Sequence, residues 1–546
     1  MSSAYDYEKK KDLENDLAPT TSIQQAHAEV INDDEHGQFH RSFTPRQIHV
    51  ISLGSNIGSG IFIGLGQSLS SGGPGNMIIA YILVCTCVWA VLQTLSEMTI
   101  AFPTSGNYID YAGRWVDPSL AFGAGLAEWI GWTAIVASEA AFFNILIQYW
   151  AEYSLHEAVP LTIFLVVMVA IFIMPNTVFA WFEYFTSILK ITLLLFIIIL
   201  GIVLCCGAGP KGMVHDGAYW KDLPVFKNGF SGFAECALLA VWAVGDQVFI
   251  GIMGGEAESP RYSMAHATKL VPFRVNFVFL STVLLVTFLI PSSDDRLLGG
   301  SGVTASPFII AAKDAGVPQV SHILNAGMMV SIMGNGAEAV YIASRVLRTM
   351  AHQKVIPEYM AQVDSQGRPR RALIFTTAIA IALTYANLSA SGSETLTWLI
   401  AITSSAYFIN WMIIAYTSWR FRASIKAQND GLFSEPYAWK STWWPLAPAW
   451  LMTVCMLLLV CCFVRAIKPP GSPTTVENFF QYMLGILIIV VFTAAYKLIY
   501  RNPSPKPKTA DNETGRRPLG IDELTHLDEY YKIPKYRRAL GYLQLW

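Results

Sequence analysis

The stretch that decides the fold is ISLGSNIGSGIFIGLG at residues 51–66, an apolar run that carries five glycines. Each glycine lowers helix stability by roughly 1 kcal/mol in a soluble helix. One explanation for them is close helix packing between small residues such as Gly60 and Gly64. The other is a membrane helix that breaks at Gly58, Ser59 and Gly60, where the freed amides at the start of the second half can bind a carboxylate. We favour the broken helix, because a second interrupted span occurs further along the chain.

That second interrupted span is VWAVGDQVFIGIMGG at residues 241–255. Two glycine-interrupted spans at corresponding positions predict an inverted repeat, with spans one to five in one half and spans six to ten in the other. The binding site of such a fold lies at the membrane midplane, between the two breaks. The carbonyls that end the first half of span six, around Trp242 and Gly245, can accept an ammonium group while span one receives a carboxylate. This pair of helix ends matches an α-amino acid.

The composition places the rest of the chain in a membrane. Of the 546 residues, 53% are hydrophobic and 14% are charged, whereas about a quarter of the residues of a soluble domain are charged. Apolar runs of the roughly 20 residues that a membrane helix needs recur along the chain. We therefore predict an all-α membrane protein with about twelve transmembrane helices and a five-plus-five inverted repeat. The predicted spans are 48–70, 77–101, 120–150, 161–181, 184–207, 232–255, 270–291, 322–350, 372–389, 394–419, 444–465 and 478–500.

Three segments follow from this pattern: a polar, disordered N-terminal tail (1–45), a transmembrane domain (46–501) and a polar C-terminal tail (502–546). Lys and Arg residues concentrate in the loops after spans six, eight and ten, and positively charged short loops stay on the cytoplasmic side. Both termini are therefore predicted to be cytoplasmic. The glycosylation sequon at Asn387 then falls in an outward loop, but so near the membrane that an unused sequon is an equally good interpretation.

Several short motifs between Gly54 and Arg422 resemble those of a known transporter family. They are GSGIF at 58–62, GGPG at 72–75, EM at 97–98 with Pro103, Gly106 and Tyr108, YAGRWVDP at 111–118, GEAESPR at 255–261, ASR at 343–345, and Trp411 with RFR at 420–422. In this order they resemble the amino acid, polyamine and organocation transporter superfamily, and within it the fungal amino-acid permeases. The resemblance implies a LeuT-like five-plus-five core with two added helices, and proton-coupled uptake at the plasma membrane.

The resemblance also implies which residues bind and couple. The family's substrate contacts correspond to Ile57, Gly58, Ser59 and Gly60 on helix one, and to Trp242, Ala243, Val244 and Gly245 on helix six. Lys190 in span five matches a lysine that in relatives sits against helix one, where sodium-coupled cousins bind a cation. A fixed ammonium there would replace the ion and respond to protonation. The alternative, a lysine that snorkels to an interface, is disfavoured by its position well inside the span.

Two intramembrane carboxylates depart from the family pattern. Helix six reads DQV at 246–248 where many relatives carry Gly-Thr-Glu, and Glu338 in span eight stands where a small polar residue is expected. Carboxylates within a membrane usually face a cavity or a cationic partner. We therefore add Asp246 to the predicted binding site and Glu338 to the predicted coupling residues, either for a substrate with extra positive charge or as a second proton carrier. The alternative is that Glu338 pairs with Arg345 or Lys190.

The other intramembrane glutamates lie near predicted span ends or on short faces, where solvated or capping roles are common. We predict such roles, and no chemistry, for Glu97, Glu128, Glu139, Glu183 and Glu235.

The predicted function is secondary active transport: proton-coupled uptake of amino acids across the plasma membrane. The expected partners are the small-molecule substrate, protons and the lipid bilayer, with no nucleic acid. No catalytic arrangement, His/Cys ligand cluster or phosphate-binding loop can be recognised in the sequence, so neither an enzyme nor a cofactor or metal is expected. Two alternatives stay open: a permease for polyamines or carnitine-like quaternary amines, and a nutrient sensor with the transporter fold. The ordinary length of the N-terminal tail favours transport over sensing, because sensors of this group tend to carry long extensions.

Overall fold

The computed structural model describes residues 44–104, 106–152, 154–246, 248–255, 257, 260–298, 306–389, 392–468, 474–517, 520–534 and 536–538. Nearly all of the predicted N-terminal tail (1–45) lies outside these residues. The described chain is almost entirely helical and contains no named strand. This confirms the predicted all-α fold.

The described helices are numbered in chain order, and a π-helical turn, Gly60–Gly64, leads directly into the second of them. They are α1 Pro45–Gly54, α2 Leu65–Ala101, α3 Asn107–Trp115, α4 Pro118–Ala151, α5 Ala158–Ile173, α6 Asn176–Cys205, α7 Ala218–Asp222, α8 Gly229–Val244, α9 Val248–Gly255, α10 Pro260–Leu289, α11 Pro307–Asp314, α12 Pro318–His352, α13 Arg370–Ala386, α14 Gly392–Ala427, α15 Leu446–Ile467, α16 Val476–Tyr500 and α17 Ile521–Lys532.

These helices have the length and surface of membrane spans. Eight helical segments among the described residues are long and apolar enough to cross a membrane, and α5 is a shorter apolar helix. Each of the twelve predicted spans overlaps one or two of the helices. The outer faces of α6 and α16 expose large apolar side chains such as Phe185 and Leu498, which are 61% and 74% exposed. Apolar surface of this extent fits contact with lipid.

The prediction is wrong at the boundary between the fourth and fifth spans. That boundary was predicted at 181–184, but α5 ends at Ile173 and α6 begins at Asn176. Met174 is extended, with φ −73° and ψ 161°, and precedes Pro175. A proline disfavours helical backbone at the residue before it, which ends α5 at this point.

A glycine separates the first two spans inside α2. Gly73 has φ 75° and ψ 171°, and Pro74 follows it. Glycine adopts this positive φ without the steric cost of a Cβ, and proline suits the first turn of the helix that begins there. The second span therefore starts directly after the first, with almost no loop between them.

The two interrupted spans lie at the centre of the fold. α1 ends at Gly54 before helical structure resumes around Gly60, and α8 ends at Val244 before α9 begins at Val248. α2 packs along α8, and α4 packs along α12. Both breaks are consequently enclosed by the long helices.

The C-terminal segment packs against one end of the helix bundle. Trp115 Nε1 and Ser424 Oγ donate to Asn512 Oδ1 at 3.1 and 2.8 Å. Arg516 Nη1 lies 2.9 Å from Asp430 Oδ1. We call this end, where residues 502–517, 520–534 and 536–538 cover the loops next to α3, α10 and α14, the tail end.

Candidate functional site

The first break offers backbone donors. The chain leaves the helix at residues 55–58, and the amides of Ile61 and Phe62 then donate to the Gly58 carbonyl at 3.2 and 3.3 Å. The first amides of a helix have no carbonyl partner within that helix. The start of the second half, at Ser59 and Gly60, is therefore a place where an anion can be bound.

The second break lies directly against the first. A Cβ on Gly60 would come within 2.6 Å of the Ala243 Cα, and a Cβ on Gly245 would come within 2.3 Å of the Tyr407 ring. Only glycine fits at either position without displacing its neighbour. Because two helices approach so closely at their interrupted parts, the polar backbone of both breaks faces one small volume.

A cavity of about 40 Å³ occupies this volume. A water molecule takes up about 30 Å³ in the liquid, so the cavity holds a water-sized group, and a whole amino acid needs its walls to move. Seven of the predicted site residues line it: Gly58, Ser59, Gly60, Trp242, Ala243, Asp246 and Glu338. The wall is completed by Ser55, Asn56, Trp132, Ile135, Glu139, Asn335 and Tyr407.

The other four predicted site residues lie around the cavity. Gly245 packs against the Tyr407 ring, and Val244 is buried at the end of α8. Ile57 instead lines an apolar gap against α6 and α10. Lys190 does not line the cavity, but its ammonium group donates a hydrogen bond to Asn335, which does.

Lys190 is fully buried and holds together a polar network behind the cavity. Its Nζ donates to Glu183 Oε1 at 3.1 Å and to Asn335 Oδ1 at 2.8 Å. It lies 4.0 Å from Glu338 Oε2. Asn335 in turn packs on Gly58, where an added Cβ would come within 1.7 Å of the Asn335 amide nitrogen. The lysine is therefore connected to the first break through one side chain, and its ammonium group does not snorkel to an interface.

The prediction of solvated roles for the other glutamates is wrong for four of the five. Glu97, Glu128, Glu139, Glu183 and Glu235 are all at most 7% exposed. Packed helices remove Glu97, Glu128, Glu139 and Glu183 from water, which the chain position alone could not show, whereas Glu235 borders a larger cavity.

One of these glutamates, Glu139, lines the cavity, and a second, Glu128, lies directly behind its wall. Glu139 Oε1 accepts a hydrogen bond from Ser59 Oγ at 2.7 Å, at the start of the second half of helix one. Glu128 Oε1 accepts from Trp132 Nε1 at 2.8 Å. The two glutamates are about three helical turns apart and so share a face of α4. That spacing is the one signal in the sequence that could have placed them together.

A larger cavity lies on the other side of Trp242. It has a volume of about 540 Å³, within the range of roughly 300–1,000 Å³ typical of small-molecule sites. Trp242 borders both cavities and packs against Phe142, with ring centroids 5.8 Å apart. We call the larger cavity the vestibule; its lining includes Gln67, Phe142, Asn144, Glu235, Trp242, Thr397, Ser404 and Tyr482.

The asparagine of the glycosylation sequon is buried and hydrogen-bonded within the protein. Asn387 is 8% exposed, and its Nδ2 donates to the carbonyls of Ala137 and Thr384 at 3.2 and 3.1 Å. Glycosylation would modify this same nitrogen. The geometry favours an unused sequon.

Comparison with known proteins identifies the family. The family model described as "Amino acid permease" matches residues 47–508, which include both breaks and the start of the C-terminal segment. The chain belongs to the amino acid permease family. The permease is 31% identical to the amino-acid permease GAP5 of Candida albicans over 487 residues, which cover 89% of this chain and 78% of that protein.

Two further relatives show how the family varies. The permease is 29% identical to the S-adenosylmethionine permease GAP4 of Candida albicans over 527 residues, covering 95% of this chain and 85% of that one. It is 28% identical to the general amino-acid permease GAP1 of Saccharomyces cerevisiae over 491 residues, covering 88% and 81%. The permease is thus a multi-pass membrane transporter of amino acids and not an enzyme, as predicted. The relatives' names differ in substrate, so the family does not specify which amino acid is carried.

Proposed function

We propose that the permease takes up an amino acid together with a proton across the plasma membrane, with both termini in the cytoplasm. The observation that carries proton coupling is the buried ammonium of Lys190, which is hydrogen-bonded to Asn335 and through it touches Gly58. A charge inside the membrane is costly unless its partners hold it. Any change in the protonation of those partners is therefore transmitted to the first break.

The amino acid would bind between the two breaks by its backbone groups. Its carboxylate would meet the amides at Ser59 and Gly60, and its ammonium group the carbonyls around Trp242 and Gly245. These contacts use atoms that every α-amino acid has. Selection among amino acids is left to the side chains around the cavity.

Glu139 supplies a reason for a proton to travel with the substrate. Its carboxylate already lies at Ser59, where the substrate carboxylate would bind. Two negative charges at one buried helix start repel each other. Substrate binding therefore favours the form in which Glu139 carries a proton, and by linkage the proton favours substrate binding to the same degree.

The substrate would enter through the vestibule. Trp242 is the only side chain of the described residues that borders both the vestibule and the small cavity. Its movement would join the two and admit the amino acid. Release on the other side requires the tail end to open, as alternating access demands.

The test compares two kinds of transport by the purified permease in proteoliposomes. We expect Lys190→Ala to lower accumulation driven by an imposed pH gradient about tenfold or more, because the network that links protonation to helix one is lost. Counterflow exchange at equal pH on both sides should be affected less. Lys227→Ala is the matched control, since Lys227 Nζ bonds only a loop carbonyl, that of Ser292, at 2.9 Å in the described structure.

Two outcomes would contradict the proposal. If a pH gradient does not drive accumulation by the unaltered permease, proton coupling fails. If Lys190→Ala lowers accumulation and exchange equally, the lysine has only a structural role. Lys190→Gln, which can still donate to Asn335, separates loss of charge from loss of folding.

A further inference from the structure

Asp246 and Glu338 both line the small cavity. Glu338 is 2% exposed, and neither of its carboxylate oxygens has a hydrogen-bond partner among the described residues. Asp246 is 9% exposed, and its Oδ1 likewise lacks a described partner. Glu338 comes from α12 and Asp246 from the break after α8, so two separate parts of the chain bring carboxyl groups to one small cavity.

Few positive charges lie near these two carboxyl groups to balance them. Lys190 is the cation nearest to the pair among the described residues, but its hydrogen bonds go to Glu183 and Asn335, and it remains 4.0 Å from Glu338. The other titratable groups that line the cavity are Glu139 on α4 and Tyr407 on α14, and Glu128 lies behind Trp132 of the wall. None of the three is cationic.

Physical chemistry restricts what such a pair can do. Two neighbouring carboxyl groups in a poorly solvated site are both ionised only at a high cost in free energy unless a cation lies between them. Either they share a proton, or a positively charged group takes its place. The cavity of about 40 Å³ has room for a water-sized group, and an ammonium group is of that size.

We propose that Asp246 and Glu338 form one site for which a proton and the cationic side chain of a basic amino acid compete. This inference rests on the proposed proton-coupled amino-acid uptake. A neutral amino acid leaves the shared proton in place, and both cross together. On the far side the opened site admits water, the amino acid and the proton leave, and the permease returns without them. A basic amino acid displaces that proton and inserts its own charge between the two carboxylates.

The charge balance of the two cycles is the same, but the proton balance differs. A neutral amino acid moves with the pair's proton, so one positive charge crosses at this site. A basic amino acid brings one positive charge and returns the proton to the side from which the amino acid came. Each basic amino acid is therefore carried with one proton fewer than each neutral one, while the charge moved per substrate is equal.

The first test needs no variant. Proteoliposomes containing the full permease are given lysine or leucine, and substrate uptake is measured together with proton uptake, by a pH-sensitive dye, and with the current. We expect a proton-to-substrate ratio that is lower by one for lysine, with equal charge per substrate. Equal proton ratios for the two amino acids overturn the inference, and so does leucine uptake without any lysine uptake.

Variants then assign the effect to the pair. Asp246→Asn and Glu338→Gln should each raise the half-saturating lysine concentration about 10- to 100-fold, the range expected for losing a hydrogen-bonded charge. Half-saturation by leucine should change much less, and its proton ratio should fall. Glu477→Gln, at an exposed position at the start of α16, is the matched control.

The results separate the two proposals. A permease that accumulates neither amino acid under a pH gradient refutes the proposed function. A permease that accumulates leucine with protons but shows no difference for lysine refutes only this inference. Equal losses for both amino acids in both variants, in protein with unchanged thermal stability, likewise count against a charge-reading pair.

Discussion

The vestibule and the tail end close the binding site in different ways. On the vestibule side, one ring, that of Trp242, stands between the small cavity and about 540 Å³ of open space. On the tail side, the described residues are joined by ion pairs and covered by the C-terminal segment. A single aromatic partition can move with few lost contacts, whereas the tail end opens only when several charged groups separate. The structure is therefore a conformation in which the binding site is closed at the tail end and is separated from the vestibule by one side chain.

Each end contains a buried glutamate–arginine ion pair, and the surroundings of the two pairs differ. Glu97, 1% exposed, pairs with Arg422, whose guanidinium stacks 4.6 Å from the rings of Phe433 and Trp444. Glu235 pairs with Arg465 at 2.8 Å, but Glu235 borders the vestibule. Water in the vestibule can solvate a charge that loses its partner, and packed aromatic rings cannot. The cost of breaking a pair should therefore depend on which end it occupies.

The largest expected effect tests this difference. Glu97→Ala leaves the Arg422 charge among aromatic rings, and removing one partner of a buried pair costs about 3–5 kcal/mol. Glu235→Ala, its counterpart at the vestibule, should cost about 1 kcal/mol, close to the value for a hydrated pair. Thermal unfolding of the two purified variants in the same detergent measures the contrast. Similar losses in both would show that the vestibule does not solvate Glu235.

An intermediate effect is expected at the partition itself. Trp242→Ala joins the vestibule to the small cavity and removes the aromatic contact with Phe142, which is worth about 0.5–1.5 kcal/mol beyond buried area. Affinity for small amino acids should fall about tenfold, or about 1.4 kcal/mol of binding free energy, because the ring no longer encloses them, and larger amino acids should gain relative to small ones. Competition uptake with amino acids of increasing size checks this. Trp181→Ala, at a 49% exposed position on α6, is the control. If Trp242→Ala ranks amino acids of different size in the same order as the unaltered permease, the Trp242 ring does not separate the two cavities.

The smallest effect concerns the tail. Asn512, 2% exposed, joins Trp115 and Ser424. Asn512→Ala removes these two hydrogen bonds, each worth about 0.5–1.5 kcal/mol, while Trp115 and Ser424 keep their bonds to the carbonyls of Asp511 and Phe421. We expect faster protease cleavage of the C-terminal segment with only a modest change in uptake. The exposed neighbour Glu513 provides the control, Glu513→Ala. Cleavage at the same rate in both variants would show that Asn512 does not hold the segment in place.

Hydropathy and glycine spacing are local properties, so the sequence alone determined the membrane spans and both breaks. A span needs about 20 apolar residues wherever it lies, and glycine weakens a helix in any surroundings. Even the error at the fourth span is local, because Pro175 already marks where α5 must end. The residues of the breaks could therefore be named without knowing their neighbours, and Gly58, Gly60 and Trp242 do line the cavity.

Only the tertiary structure decided which charged groups share the site. Glu139 meets Ser59 from 80 positions away, and Lys190 meets Asn335 from 145 positions away. The residues around Glu139 place it within a membrane span but do not show what its carboxylate meets, because that depends on the helices packed around it. The same holds for Asp246 and Glu338, which the sequence marked as unusual one by one. They line one cavity only because the break after α8 packs against α12.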